Sequence, residues 1–216
     1  MSTQIRFAIS THVNYCALTI PHLLESLVTL NGVLPETILV AVGGSDKEYT
    51  EIREGVEWRY VTHNSFDHTA LIAVTEANLD ADWWCYLHDT CEAGARFLEI
   101  LTSILTSPAA EHYQNFSMES EGWMNIGAMS RAGLVEMKNY ILCMKNCDKI
   151  RAMRSEKLYH RMLRSTCFCT PAQRIEKGRA FPYGTQISRL VVFLEGIDLI
   201  KYQANSDIHH YGFNIP

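Results

Sequence analysis

Four short runs in the first half of the chain, residues 5–10, 37–42, 58–62 and 83–87, are rich in apolar and β-forming residues nearly end to end. A strand that is apolar at every position leaves no face for water. It belongs in a sheet covered on both sides, which is the habit of parallel sheets. The stretches between the runs have helical spacing. Ile20, Leu23, Leu24, Leu27 and Leu30 form one stripe, with Pro21 tolerable only in the first turn and Asn31-Gly32 as a stop. Leu71, Val74 and Ala77 mark a helix over 68–78, and Phe97, Leu98, Leu101, Ile104 and Leu105 mark another that Pro108 limits. The expected fold is α/β, a mostly parallel central sheet flanked by helices.

In such sheets ligands bind beyond the carboxyl ends of the strands. The polar clusters that close the apolar runs are therefore the candidate site: Thr11, His12, Val13 and Asn14; Gly43 to Asp46; His63, Asn64 and Asp67; and His88, Asp89, Thr90, Cys91 and Glu92. Asp89, just past a buried strand, projects into the cleft, with His88, Thr90 and Glu92 near it. A divalent ion on a diphosphate needs only one or two protein carboxylates, because phosphate oxygens and water fill the other positions. The competing reading makes Asp89 the cap of the next helix, with Glu92 in its first turn. His209 and His210 are a second cluster, and imidazole suits manganese as well as zinc.

Length and composition narrow the class. A chain of 216 residues makes one domain with a full core, and 47% hydrophobic with 20% charged residues excludes a disordered or low-complexity chain. A net charge of -5 argues against nucleic-acid binding. No run approaches the roughly 20 apolar residues needed to cross a bilayer, and the first residues lack the basic-then-apolar form of a signal peptide. The seven cysteines include no C-x-x-C pair. They read as free, mostly buried thiols in a reducing compartment, which points to the cytoplasm. The second half has a Gly- and Met-rich stretch at 117–131, a largely helical basic stretch at 134–163, and a late strand at 189–194. The abrupt Asn214-Ile215-Pro216 end fits a boundary within a longer protein with further domains. P-loop, H-E-x-x-H, G-x-S-x-G and G-x-G-x-x-G motifs are absent, which removes support for the NTPase, metalloprotease, hydrolase and dinucleotide readings.

These residues resemble the GT-A fold glycosyltransferases, especially their family-2-like group. Ile9-Ser10-Thr11-His12-Val13-Asn14-Tyr15 is similar to the opening strand and its T-x-x-N-type loop. The run from Glu36 to Asp46 resembles the second strand, and His63-Asn64 with Ala70-Leu71 and Ala77-Asn78 the third strand and following helix. Asp82-Trp83-Trp84-Cys85-Tyr86-Leu87-His88-Asp89-Thr90 resembles the strand leading into the D-x-D segment. The segment from Gly122 to Arg131 is similar to the acceptor loop, and Glu156-Lys157 falls where an E-D motif is expected. The sequence departs from the pattern in three places: Val42-Gly43 replaces the acidic pair after the second strand, His88-Asp89-Thr90 keeps one carboxylate of the D-x-D, and Lys157 replaces the second acid of E-D.

The resemblance implies a nucleotide-sugar-binding half at 1–110 and an acceptor-binding half at 111–216 of one domain. It implies a glycosyltransferase that moves a sugar from a nucleotide-diphosphate donor, a UDP sugar, to a glycan acceptor. Thr11, His12, Val13, Asn14 and Gly43 would line the nucleotide pocket, Asn64 and Asp67 would hold ribose or diphosphate, and His88 would join them. Asp89 with His209 or His210 would hold Mn²⁺ or Mg²⁺, which stabilises the departing diphosphate. Glu156, or else Asp148, would be the base of an inverting transfer. Trp123 and Tyr183 would offer faces to acceptor sugars. The alternative is a non-catalytic nucleotide- or sugar-binding module on the same fold.

Overall fold

The computed structural model describes residues 3–77, 80–118, 125–155, 157–168, 173–176, 182 and 190–203. Its centre is strand β1 (Ile5–His12), which pairs in parallel with β2 (Ile38–Gly43) on one side and β5 (Trp83–His88) on the other. Strand β4 (Val56–Tyr60) adds in parallel to β2. Alternate residues explain why these strands read as apolar throughout. Phe7, Ile9, Val40, Val42, Cys85 and Leu87 face one core, which holds Ile20, Leu23 and Leu27. The opposite positions Ala8, Leu39, Ala41, Trp84 and Tyr86 face a second core with Leu71, Val74, Leu134 and Ile141. The period of two thus buries both faces.

Helix α1 (Cys16–Leu24) covers the first face, together with α3 (Phe97–Leu105). Helices α2 (Thr69–Glu76) and α4 (Arg131–Cys143) cover the second. Pro21 lies inside α1 rather than in its first turn, which corrects the expectation. It is exposed, so water can serve the carbonyl that its missing N–H leaves unbonded, and the ladder widens into a π-helical stretch at Glu25–Leu30.

The sheet is parallel at its centre and mixed towards its edges. Its eight strands run β3-β4-β2-β1-β5-β8-β7-β9. Strand β3 (Tyr49–Arg53) is antiparallel to β4 because a two-residue turn joins them, with Glu54 at φ 51° and Gly55 at φ 84°. Strand β8 (Gly127–Ser130) runs antiparallel to both β5 and β7 (Asn115–Ser117), and β9 (Ser165–Cys167) is parallel to β7. The basic stretch expected to be largely helical is divided into α4, α5 (Lys149–Ser155) and α6 (Leu158–Met162). Asn146, at φ 60°, turns the chain after α4, as asparagine does past helix ends.

A second, antiparallel sheet has the order β10 (Gln173–Glu176), β11 (Leu190–Leu194), β12 (Leu199–Gln203) and β6 (Cys91–Ala93). Strand β6 follows β5 after a two-residue turn, so this small sheet meets the large one directly after Asp89. Among the described residues no helix is long and apolar enough to cross a membrane.

Gly127 sits where β5, β7 and β8 meet. A Cβ there would overlap the Phe116 carbonyl and lie 2.6 Å from the Tyr86 hydroxyl. Gly127→Ala should therefore lower unfolding free energy by about 1–3 kcal/mol in urea denaturation. Unchanged stability would contradict this register.

Candidate functional site

The chain runs from β1 through α1 to β2 and on to β4 on one side, then crosses back so that β5 lies on the other side of β1. The carboxyl ends of β1 and β5 therefore part at a topological switch point, where open α/β sheets bind ligands. Asp89 stands in that position. Its Oδ2 accepts a hydrogen bond from the Thr11 hydroxyl at 2.6 Å and lies 2.8 Å from the Thr19 hydroxyl of α1, which also lies 3.1 Å from the Tyr15 carbonyl. The Asp89 N–H donates to the Ser10 carbonyl at 3.1 Å, continuing the β1–β5 ladder. Asp89 does not cap a helix, because α3 begins only at Phe97. Burial pushes its carboxyl above the ordinary 3.8, while the two hydroxyls and the charges of Lys201 and His12 oppose that shift.

The strand-end loops are laced to one another. The Val13 N–H donates to the Gly43 carbonyl at 3.0 Å, and the Gly44 N–H to the His63 carbonyl at 3.1 Å. The Asn14 N–H donates to His12 Nδ1 at 3.2 Å, so the neutral ring carries its proton on Nε2. Burial lowers the His12 pKa against the pull of Asp89. Gly44 has φ 76°, and a Cβ there would fall on the His12 ring. Only glycine serves both demands.

Asn64 Oδ1 accepts from the Phe66 N–H at 3.2 Å, a local turn contact that leads into α2. Ser10, at the end of β1, accepts from the Ala70 N–H at 3.0 Å and donates to the Asp67 carbonyl at 3.0 Å, so a β1 hydroxyl satisfies the start of α2. The Asp67 carboxylate lies 3.2 Å from His88 Nε2, at ion-pair distance but outside hydrogen-bond geometry. His88 is buried, and burial together with the Lys201 charge holds its pKa well below the usual range. The contact is therefore between a carboxylate and a neutral ring. Asn125, whose backbone bonds His88, is 2% exposed, and among the described residues neither of its side-chain amide atoms is hydrogen-bonded.

Thr90 is bonded by Lys201, whose ammonium reaches the Thr90 hydroxyl from β12, where Lys201 stands opposite Cys91. Glu92 serves a different purpose from the one expected. Its Oε2 accepts from the Tyr202 hydroxyl at 2.6 Å and lies 3.0 Å from His22 Nε2, which ties α1 to the small sheet.

Thr11, His12, Val13, Asn14, Gly43, Asn64, Asp67, His88 and Asp89 thus gather along one edge of the sheet. Asp148 is exposed, and its carboxylate accepts from the Arg151 N–H at 2.7 Å, the contact of a helix cap at the start of α5. Glu156, His209, His210, Trp123 and Tyr183 lie outside the described residues. Ser155, the neighbour of Glu156, bonds His68 Nε2 at 2.8 Å, next in sequence to Asp67.

Among the described residues no three His, Cys, Asp or Glu side chains gather to hold an ion, and His209 and His210, the other expected ligands, lie outside those residues. Asp89 spends one oxygen on two hydroxyls and sits within the field of an ammonium that would repel a second cation. Sequence reasoning missed Thr19 and Lys201. For Lys201 the signal was a single lysine inside the apolar run Leu199-Ile200-Lys201-Tyr202. Compared by sequence, the chain matches no protein-family model and no curated protein.

Thr19→Val keeps the shape but removes a hydroxyl from a half-buried carboxylate. It should cost about 1–3 kcal/mol of stability by urea denaturation, and no loss would show that Asp89 does not depend on it. The raised pKa of Asp89 has a definite sign in linkage. The folded state holds its proton to higher pH than the unfolded state, so this group's contribution to stability is largest below 3.8 and declines as pH rises through the raised value. Asp89→Asn should abolish that decline, so the variant gains on wild type as pH rises above 3.8. A difference that moves the opposite way would contradict the burial of this carboxyl.

Proposed function

We propose that the chain is a GT-A-type glycosyltransferase domain that moves a sugar from a nucleotide-diphosphate donor, a UDP sugar, to a glycan acceptor. The observation that carries this reading is the convergence of Thr11, His12, Asp89 and the Lys201 ammonium at the switch point between β1 and β5. A nucleoside diphosphate needs hydrogen-bond donors and positive charge at its phosphates and a loop-lined pocket at its base. The strand-end loops at 11–14 and 43–44 offer the second beside the first.

In an inverting transfer an acceptor hydroxyl oxygen forms the new bond to the anomeric carbon. The bond from that carbon to the diphosphate oxygen breaks, and its electron pair leaves with the diphosphate. The acceptor proton passes to a carboxylate, for which Glu156 is our assignment. The helix-cap contact of Asp148 makes it the weaker candidate. A binding module without catalysis is the second reading. It is favoured by the single carboxylate of His88-Asp89-Thr90, already engaged by two hydroxyls, and by Lys157 beside Glu156.

Incubation with a panel of UDP sugars should release free sugar slowly, as donors hydrolyse without an acceptor. Glu156→Gln should slow turnover by about 10²-fold while UDP affinity stays unchanged. Tight UDP binding with no turnover on a broad donor and acceptor panel would favour the module. Full activity in Glu156→Gln would move the base elsewhere.

A further inference from the structure

The small sheet brings one more group to the same crevice. Lys201 is 6% exposed, although it carries a charge. An ammonium taken out of water requires compensation by acceptors or opposite charge. The compensation here is incomplete. An ammonium has three donors, and among the described residues the Thr90 hydroxyl is the one acceptor of Lys201. The nearby Asp89 carboxylate feels the Lys201 charge but does not close an ion pair with it, and its Oδ2 is already bonded by Thr11 and Thr19. His88, which also feels that charge, is held neutral. Among the described residues, a buried cation with donors to spare therefore stands beside the turn where β5 gives way to β6.

The register fixes this placement. Strand β12 is antiparallel to β6, with Lys201 opposite Cys91 and the Tyr202 N–H donating to the Thr90 carbonyl at 2.9 Å. The lysine is thus carried on a strand rather than on a loop, and its head is set at the carboxyl end of β5.

We propose that Lys201 supplies the positive charge that receives the donor diphosphate, in the role for which a divalent metal ion was expected. The inference rests on the glycosyltransferase reading of this site. The diphosphate oxygens complete the unmet donors of the ammonium, and the growing charge on the leaving group is stabilised without an ion. Lysine suits this role as a compact point charge with three donors. The poor cation site at Asp89 and the buried ammonium at Lys201 are then two sides of one arrangement.

The test is calorimetric titration of the full chain with UDP and with uridine, each in EDTA and in Mn²⁺, for wild type, Lys201→Met and Lys201→Arg. The inference expects wild type to bind UDP with the same affinity, within about threefold, in EDTA and in Mn²⁺. It expects Lys201→Met to weaken UDP binding by about 30-fold or more, Lys201→Arg to retain most of the affinity, and uridine to bind wild type and Lys201→Met alike. UDP binding that appears only with Mn²⁺ would overturn the role of Lys201 and leave the donor reading standing. Equal losses for UDP and uridine in Lys201→Met would show a merely structural lysine and also overturn it. If Lys201→Met does not fold, the wild-type comparison in EDTA and Mn²⁺ and the arginine variant decide. No UDP binding by wild type in either condition would overturn the donor reading and this inference together.

Discussion

A carboxylate partly withdrawn from water must be met by donors or give up its charge, and Asp89 sets that condition at the centre of this molecule. Two threonine hydroxyls meet its Oδ2, one from the end of β1 and one from inside α1. That pair of contacts fixes the first helix against the turn after β5. The polar edge is organised around it. His12 lies in the field of Asp89, Gly44 must lack a side chain to make room for the His12 ring, and the loop carbonyls of Gly43 and His63 hold their neighbours' N–H groups.

The electrostatics of this edge are simpler than its four histidines suggest. Burial is the leading cause in each case, and it pushes His12, His63, His68 and His88 towards the neutral form, His68 down to about 4. Neutral rings contribute hydrogen bonds and shape, not charge. His68, for example, is fixed between the Tyr159 hydroxyl at 2.6 Å and the Ser155 hydroxyl at 2.8 Å. Lys201 thus supplies positive charge at the switch point that does not depend on a histidine's proton, and this is why a single residue far along the chain bears so much of the functional reading.

The parallel centre of the sheet was legible because burial on both faces leaves an unmistakable trace, four apolar runs with polar ends. The polar ends also led to the site edge, since strand direction alone places Thr11, Gly43 and Asp89 on one side. What escaped did so for physical reasons. Strand β3 is exposed along most of its length, so it has no apolar pattern, and its turn uses Glu54-Gly55 in place of the asparagine or aspartate usual before glycine. The antiparallel strands β7 and β8 are only a few residues long. Glu92 was read as a ligand or a first-turn acid, yet it bridges Tyr202 and His22, a partnership across the chain that no local pattern can carry. Lys201 escaped for the same reason: its meaning depends on β12 pairing with β6.

The account is tested most directly by mapping where a nucleoside diphosphate touches the folded chain, through hydrogen–deuterium exchange measured by mass spectrometry with and without UDP. Protection should concentrate in peptides spanning residues 11–14, 43–44, 88–91 and 199–203, the strand ends and the strand that meets them. Protection confined to the outer helices or the opposite end of the strands, with those four segments unchanged, would contradict it.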